Sequence, residues 1–241
     1  MGMYEMRSRV RYSETDADAR LSLVGIMNYM QDCSTQQSED IGAGLEWLRR
    51  ERRVWLLSSW QILVLKRPAL GEEIRVRTWP YAFKGIYGLR NFAIYDADGD
   101  YAAKANSCWF LVDADTGKPV RVTEAIAAPY GELEPKLPME YAPRKIELPG
   151  GLTDAGMRPV MRHQIDTNRH VNNAQYVDMA RELLPEGIRI CEIRAEYRKA
   201  AVLGDTLHMR YAETAGGYFV SICKEDGSIF ANVALQTLPE K

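Results

Sequence analysis

The feature that most limits how this chain can fold is that it repeats itself. The stretch KRPALGEEIRVRTW, Lys66 to Trp79, lies without gaps over KAAVLGDTLHMRYA, Lys199 to Ala212. The two share a lysine, a Leu-Gly pair, an acidic residue and then alternating apolar positions. Further on, IYDADGDYAAKA (Ile94 to Ala105) matches ICKEDGSIFANV (Ile222 to Val233), each reading as a strand, an Asp-Gly turn and a returning strand. Ahead of both, YSETDADARLS (Tyr12 to Ser22) matches RHQIDTNRHVN (Arg162 to Asn172), pairing Asp16 with Asp166 and Arg20 with His170. Three blocks in the same order imply two copies of one unit.

Each copy begins with a short extended segment and then a helix. Leu23, Ile26, Met27, Met30 and Cys33 recur at three-to-four spacing in the first copy, and Val177, Ala180, Leu183 and Leu184 in the second. Strand-like runs follow each helix: VWLLSSWQILVLK, EIRVRTWPYAF, LRNFAIYDA and AAKANSCWFLVD, then ICEIRAEYRKA, TLHMRYAET, GYFVSICKE and SIFANVALQT. A helix followed by antiparallel strands is an α+β unit whose helix must bury its apolar face on the sheet. Residues 130–152, rich in Pro and Gly, read as a linker between an N-terminal half, 1–129, and a C-terminal half, 153–241.

Charge and composition exclude several classes. A net charge of −2 argues against a globally basic nucleic-acid binder. No apolar run approaches the roughly 20 residues that span a bilayer, and the N-terminus lacks the apolar stretch of a signal peptide, so a cytoplasmic protein with no membrane partner is expected. Cys33, Cys108, Cys191 and Cys223 are scattered without a CxxC pair and read as buried free thiols. The histidines, His163, His170 and His208, have no spacing that argues for a metal.

The chemistry concentrates in HQIDTNRHVNNAQY, His163 to Tyr176. In an extended backbone Asp166, Asn168 and His170 project from one face. Asn172 and Asn173 are suitable N-cap residues for the helix that follows, and its first N–H groups suit an oxyanion formed when a carbonyl is attacked. A carboxylate, an imidazole and an amide suffice for hydrolysis by activated water without a serine or cysteine nucleophile. The alternative is that Asp166 and the asparagines only cap a helix while His170 fills a polar gap. The repeat favours chemistry, because the first copy has Asp16, Asp18 and Arg20 at these places and no histidine. His163 and His208 read as structural.

DTNRHVNNAQY resembles the D-x-N-x-H-V-N-N motif of the acyl-acyl-carrier-protein (acyl-ACP) thioesterases, plant and bacterial enzymes that release fatty acids from their carrier. RPALGEEIRVRTW, GLRNF, ANSCWFLVDADTGKPVR and AEYRKAAVLGD resemble other blocks of that family, so the likeness spans most of the chain. It implies a tandem hotdog, each half an antiparallel sheet wrapped around a long helix, and it makes Asp166, Asn168 and His170 the catalytic candidates. It also implies a carrier bearing a fatty acyl chain on 4'-phosphopantetheine as partner, with no cofactor or metal. One departure stands out: after EYR, plant members continue with a basic residue and Glu-Cys, whereas here Lys199, Ala200 and Ala201 follow. Asp166 and His170 must then suffice, or Glu196 or another acid must substitute.

In the mechanism this implies, His170 with Asp166 activates water, Asn168 positions the water or the imidazole, and the helix-start N–H groups hold the oxyanion. Direct attack by Asp166 to give an anhydride is a variant. Asn172, Asn173, Trp55 and Trp60 are the candidate substrate contacts, with Met27 and Met30 as further lining or simple core. Arg49 to Arg53, with Lys66 and Arg67, are candidate contacts for the acidic carrier or its phosphate, or else the solvated side of a short helix. An acyl-CoA thioesterase and a non-catalytic acyl-binding module are the competing readings. A homodimer is allowed, although two fused hotdogs already supply the pairing that single ones obtain by dimerising.

Overall fold

The computed structural model describes residues 2–238. The chain divides into two compact units, Met1–Ser58 with Val64–Tyr141, and Ser59–Leu63 with Ala142–Lys241.

In the first unit the strands β1 (Tyr4–Arg9), β2 (Arg53–Val64), β3 (Glu73–Lys84), β4 (Tyr87–Tyr95) and β5 (Tyr101–Asp113) follow the order β1-β3-β4-β5-β2. Helix α1 (Leu23–Asp40) is 18 residues long and starts where Ser22 Oγ accepts the Gly25 N–H at 2.9 Å. That bond satisfies one of the donors a helix start leaves unpaired. Ile26, Met27, Tyr29, Met30 and Cys33 form its buried stripe, each no more than 1 % exposed, over Ile74, Val76, Phe92 and Ile94 of the sheet. Side chains of this size contribute about 2 kcal/mol each on burial, which is why the helix is held on the strands. Two short helices, α2 (Leu45–Arg50) and α3 (Glu124–Ala127), complete the unit.

In the second unit the Ser59–Leu63 part of β2 pairs with β7 (Ile190–Tyr197). β10 (Ile229–Thr237), β9 (Gly217–Cys223), β8 (Thr206–Thr214) and β6 (Thr153–Pro159) follow in that order. Strand alternation sorts the side chains. Trp60, Ile62, Ile193, Ala195, Tyr197, Val233 and Leu235 share one face by register. Helix α4 (Asn173–Arg181) covers that face, since the Tyr197 hydroxyl donates to the Asn173 C=O at 2.9 Å and the Tyr176 and Tyr197 rings meet edge-on. The opposite face carries Gln61, Arg194 and Glu196 and is covered by residues 142–149. There Gln61 Oε1 accepts the Ala142 N–H, Glu196 Oε2 accepts the Ile146 N–H, and Arg194 donates to the Pro143 and Lys145 carbonyls.

α4 is only nine residues long, half the length of α1. Leu183 and Leu184, read from their spacing as helical, lie past its end, because Pro185 disfavours helical backbone at the residue before it and has no N–H to continue the ladder. Two edge strands, β1 and β6, were not legible as strands: residues 4–9 are mostly polar, and β6 is an exposed, Gly-containing segment interrupted by a bulge.

Candidate active site

Asp166 opens a tight turn. Its C=O accepts the Arg169 N–H at 3.0 Å, and its N–H donates to the His170 C=O at 2.8 Å. Its Oδ1 accepts the backbone N–H groups of Asn168 at 2.8 Å and His170 at 3.2 Å. Arg169 closes the turn at φ 62°, and Ile165 and Val171 bridge its base. The segment is therefore not the extended run in which alternate side chains share a face. An aspartate that satisfies two N–H groups of its own turn stabilises the turn over an extended backbone. The turn still gathers Asp166, Asn168 and His170 within five residues, with Asp166 and His170 half-buried and Asn168 exposed. Among the described residues no hydrogen bond joins these three side chains to one another.

The first copy makes the same turn. Asp16 Oδ1 accepts the Asp18 and Arg20 N–H groups at 3.1 and 3.3 Å, and Ala19 sits at φ 53° where Arg169 sits at 62°. The matched backbone bonds Leu21 N–H to Pro68 C=O and Val171 N–H to Ala201 C=O are both 2.9 Å. The side chains then part company. Asp16 turns its second oxygen to the Arg67 guanidinium, whose Nε also donates to the Leu21 C=O. The residue matched to Arg67 is Ala200. Asp166 thus has no ion pair among the described residues, and His170 stands where the first copy has Arg20.

At the start of α4 the donors are largely committed. Asn172 N–H donates to Gln164 C=O, Ala174 N–H to Asn172 Oδ1, and Gln175 N–H to Asn172 C=O, at 2.8 to 2.9 Å. The Asn173 N–H is the first-turn donor with no such acceptor among the described residues, so the oxyanion donors expected there narrow to one. Asn172 has its side chain in the cap. The Asn173 carbonyl is fixed by Tyr197, a contact the sequence reading missed and which an aromatic two residues after Ala195 on the helix-facing register would have signalled.

Glu196, the acid named as a substitute for the missing family glutamate, points away from the His170 turn's helix and is engaged by other partners. It is 8 % exposed and lies on the sheet face away from α4, where its carboxylate holds the Ile146 N–H and pairs with Arg198 at 3.1 Å. Ala200 itself is exposed beside the His170 loop. His163 is exposed in the short turn Arg162–Gln164, and His208 is half-buried in β8. Trp60 is 2 % exposed on the α4 face of the second unit. Trp55, in the first unit, is half-buried against Phe83, with ring centroids 6.4 Å apart.

The basic run is mostly answered from within. Arg52 pairs with Asp115, Arg53 with Asp113 at 2.8 Å, and Lys66 with Asp96 and Asp100 at 2.7 and 2.9 Å, while Arg67 holds Asp16. Asp96 and Asp100 push the Lys66 ammonium pKa up, Lys66 in turn holds Asp96 below the usual carboxylate range, and the Thr116 N–H and hydroxyl hold Asp113 there. Arg49 and Arg50 project from the last turn of α2. Among the described residues no cluster of three His, Cys, Asp or Glu could hold a metal, and no helix is long and apolar enough to cross a membrane.

Two units built from one helix-on-sheet plan, with a histidine-bearing turn in the second, define a tandem hotdog of the thioesterase kind. The sequence matches the acyl-ACP thioesterase N-terminal domain over residues 2–130 and the acyl-ACP thioesterase C-terminal domain over residues 156–235, and the chain belongs to that family. Its fold is similar to that of an acyl-ACP thioesterase from Bacteroides thetaiotaomicron (TM-score 0.88, 22% identity, 98% of each chain covered). It is also similar to the putative oleoyl thioesterase of Lactobacillus plantarum (TM-score 0.84, 25% identity, 99% of this chain and 97% of that one). Among sequences, it is 23% identical over 225 residues to oleoyl-acyl carrier protein thioesterase 1 of Arabidopsis thaliana, covering 85% of this chain and 62% of that protein. To dodecanoyl-[acyl-carrier-protein] hydrolase of Cinnamomum camphora it is 26% identical, covering 82% and 56%. The chain thus spans between half and two thirds of the length of these relatives.

Proposed function

We propose that this protein hydrolyses the thioester of fatty acyl-ACP, releasing free fatty acid and holo-ACP in fatty acid biosynthesis. The observation that carries the reading is the divergence of the duplicated turn: the second copy has gained His170 and freed the carboxylate of Asp166 from the cation that occupies Asp16. In this reading the His170 imidazole takes a proton from water as the water oxygen attacks the thioester carbonyl carbon. The tetrahedral oxyanion collapses, the C–S bond breaks, and the imidazolium returns the proton to the departing thiolate. Asp166 favours the imidazolium electrostatically, Asn168 offers its exposed amide to the water, and the Asn173 N–H is the donor for the oxyanion. Asn172 acts through the helix cap. Trp55 is proposed as an acyl contact of the first unit and Trp60 as one of the second.

The relatives' names support the carrier-bound substrate, since they act on oleoyl- and dodecanoyl-carrier proteins. The same reading takes the protein as cytoplasmic, with no cofactor, metal, nucleic acid or membrane partner, and organised as halves 1–129 and 153–241 about the linker 130–152. Sedimentation velocity tests the homodimer. The deciding experiment offers the purified chain a panel of acyl-ACPs and acyl-CoAs of varied length and follows free thiol and free acid. Release from ACP supports the reading; release from CoA alone makes it an acyl-CoA thioesterase, and binding without release makes it an acyl-binding module.

A further inference from the structure

The same comparison of the two copies exposes a difference in surface charge around the turn. In the first unit most cations near the turn are matched by carboxylates, Arg9 with Glu73, Arg11 with Glu14, Lys66 with Asp96 and Asp100, Arg67 with Asp16, while the exposed Arg20 donates to the Arg67 C=O at 3.4 Å. In the second, Arg198 is matched by Glu196, and Asp226, whose carboxyl is held low chiefly by hydrogen bonds from Ser228, has Lys199 as a further cation nearby. Arg162 and Arg169 are different. Both are exposed, and among the described residues neither has a hydrogen bond or an ion pair from its guanidinium. Their first-copy counterparts are uncharged, Tyr12 and Ala19. Arg169 even holds the left-handed conformation that Ala19 holds, so the charge was placed there without any backbone need for it.

Two guanidinium groups without a hydrogen bond or ion pair among the described residues therefore flank Asp166 to His170, one before the turn and one at its close, whereas the first-copy turn carries only Arg20, which is held on the Arg67 C=O. The single carboxylate of that loop, Asp166, has its Oδ1 on backbone N–H groups and makes no ion pair with either arginine. Guanidinium forks suit phosphate and carboxylate oxygens, and exposed ones steer an acidic partner more than they stabilise the fold.

We propose that Arg162 and Arg169 form the docking rim for the acidic acyl carrier protein at the mouth of the His170 site, a role that rests on the hydrolase reading above. It replaces the run Arg49 to Arg53 as the carrier contact, because most of that run's neighbourhood is spent on internal carboxylates.

Two variants of the full chain test this. R162E/R169E reverses the charge; R162Y/R169A installs the first-copy residues, which the same turn already accommodates at Tyr12 and Ala19. Carrier affinity is read by fluorescence anisotropy of labelled holo-ACP at low and raised salt. Kinetics are read on acyl-ACP, acyl-CoA and an acyl-N-acetylcysteamine thioester, which has neither carrier nor phosphate. The expected result is a KM for acyl-ACP raised roughly tenfold by reversal and about threefold by the swap, with a shallower salt dependence. The N-acetylcysteamine thioester should be turned over as by the wild type. Unchanged carrier affinity and KM would overturn the proposal, and so would an equal loss on N-acetylcysteamine, which places the arginines in the chemistry. An equal rise with acyl-CoA also overturns it, by showing that the rim reads a phosphate and not the carrier. If the wild type hydrolyses none of the three, the hydrolase reading falls, while the anisotropy still decides whether the rim binds the carrier.

Discussion

Arg67 donates to the carboxylate of Asp16, and the residue that repeats Arg67 in the second copy is Ala200. The turn around the aspartate is otherwise the same in both copies, down to the two N–H groups on Oδ1. One carboxylate is neutralised by a neighbour and the other is not. That single contrast leaves the second copy with an aspartate free of an ion pair among the described residues, in the turn that also carries a histidine.

Putting the cation back should silence the second copy. Ala200→Arg is expected to pair with Asp166 as Arg67 does with Asp16, lowering kcat by tenfold or more while the melting temperature holds or rises. In the first unit, Arg67→Ala should cost about 1 kcal/mol of stability, the order for a partly exposed ion pair with a carbonyl hydrogen bond. It should leave kcat within about twofold. Steady-state kinetics with thermal melts of both variants check this, and an Ala200→Arg enzyme of undiminished kcat would show that the Asp166 charge is irrelevant to turnover.

Asp166 has a structural task in the turn, and one pair of substitutions separates it from the chemical task proposed for its charge. Asn keeps an oxygen for the Asn168 and His170 N–H groups but loses the charge; Ala loses both. Asp166→Asn should therefore melt close to the wild type and hydrolyse poorly, whereas Asp166→Ala should lose about 1–2 kcal/mol as well as activity. Equal activity in Asp166→Asn and wild type would leave the residue a turn former only.

Glu196 should be dispensable for chemistry. Its carboxylate faces away from α4 and holds Ile146 and Arg198, so Glu196→Gln, which keeps an acceptor for the Ile146 N–H, is expected to retain kcat within about threefold. A fall beyond a hundredfold, the lower range for loss of a general acid or base, would make it the missing acid after all.

The fold was legible because the repeat aligned three separate blocks, and alternation identified all eight strands that lie within them or beside them. The edge strands β1 and β6 escaped because exposed edges carry no apolar alternation. The short α4 escaped because Leu183 and Leu184 keep helical spacing past the point where Pro185 ends the helix. At the proposed site the segment itself stood out in the sequence but its geometry did not: DTNRH looks alternating on paper, and only the side-chain bonds of Asp166 curl it into a turn. The face on which Glu196 points was implicit in its even-numbered place beside Ala195 and Tyr197, and needed the helix contact of Tyr197 to be read.

Alkaline pH should weaken the fold through buried thiol and phenol groups, Cys33 and Tyr176 among them. Burial pushes the Cys33 thiol from its ordinary 9.0 to about 12, and likewise the Tyr176 phenol from 10.0 to about 12. Both folded values lie above the unfolded ones, so the folded state holds these protons more tightly. Their stabilising contribution is complete below about pH 9 and is lost as pH rises from there towards 12. Melting temperatures should be level to about pH 9 and then fall, and Cys33→Ala should fall less steeply between pH 9 and roughly 10.5, where the thiol ionises in the unfolded state but not in the folded one. Parallel curves for the two proteins would contradict the assignment to Cys33.

The central claim is that the second copy's turn hydrolyses a thioester through His170. The direct measurement is the single-turnover rate of thiol release from acyl-ACP by the wild type and by His170→Ala, with both proteins shown folded by matching melts. The account predicts a loss of about a hundredfold to ten-thousandfold, the usual range for removing a general base. A His170→Ala enzyme that releases thiol at near the wild-type rate would contradict it.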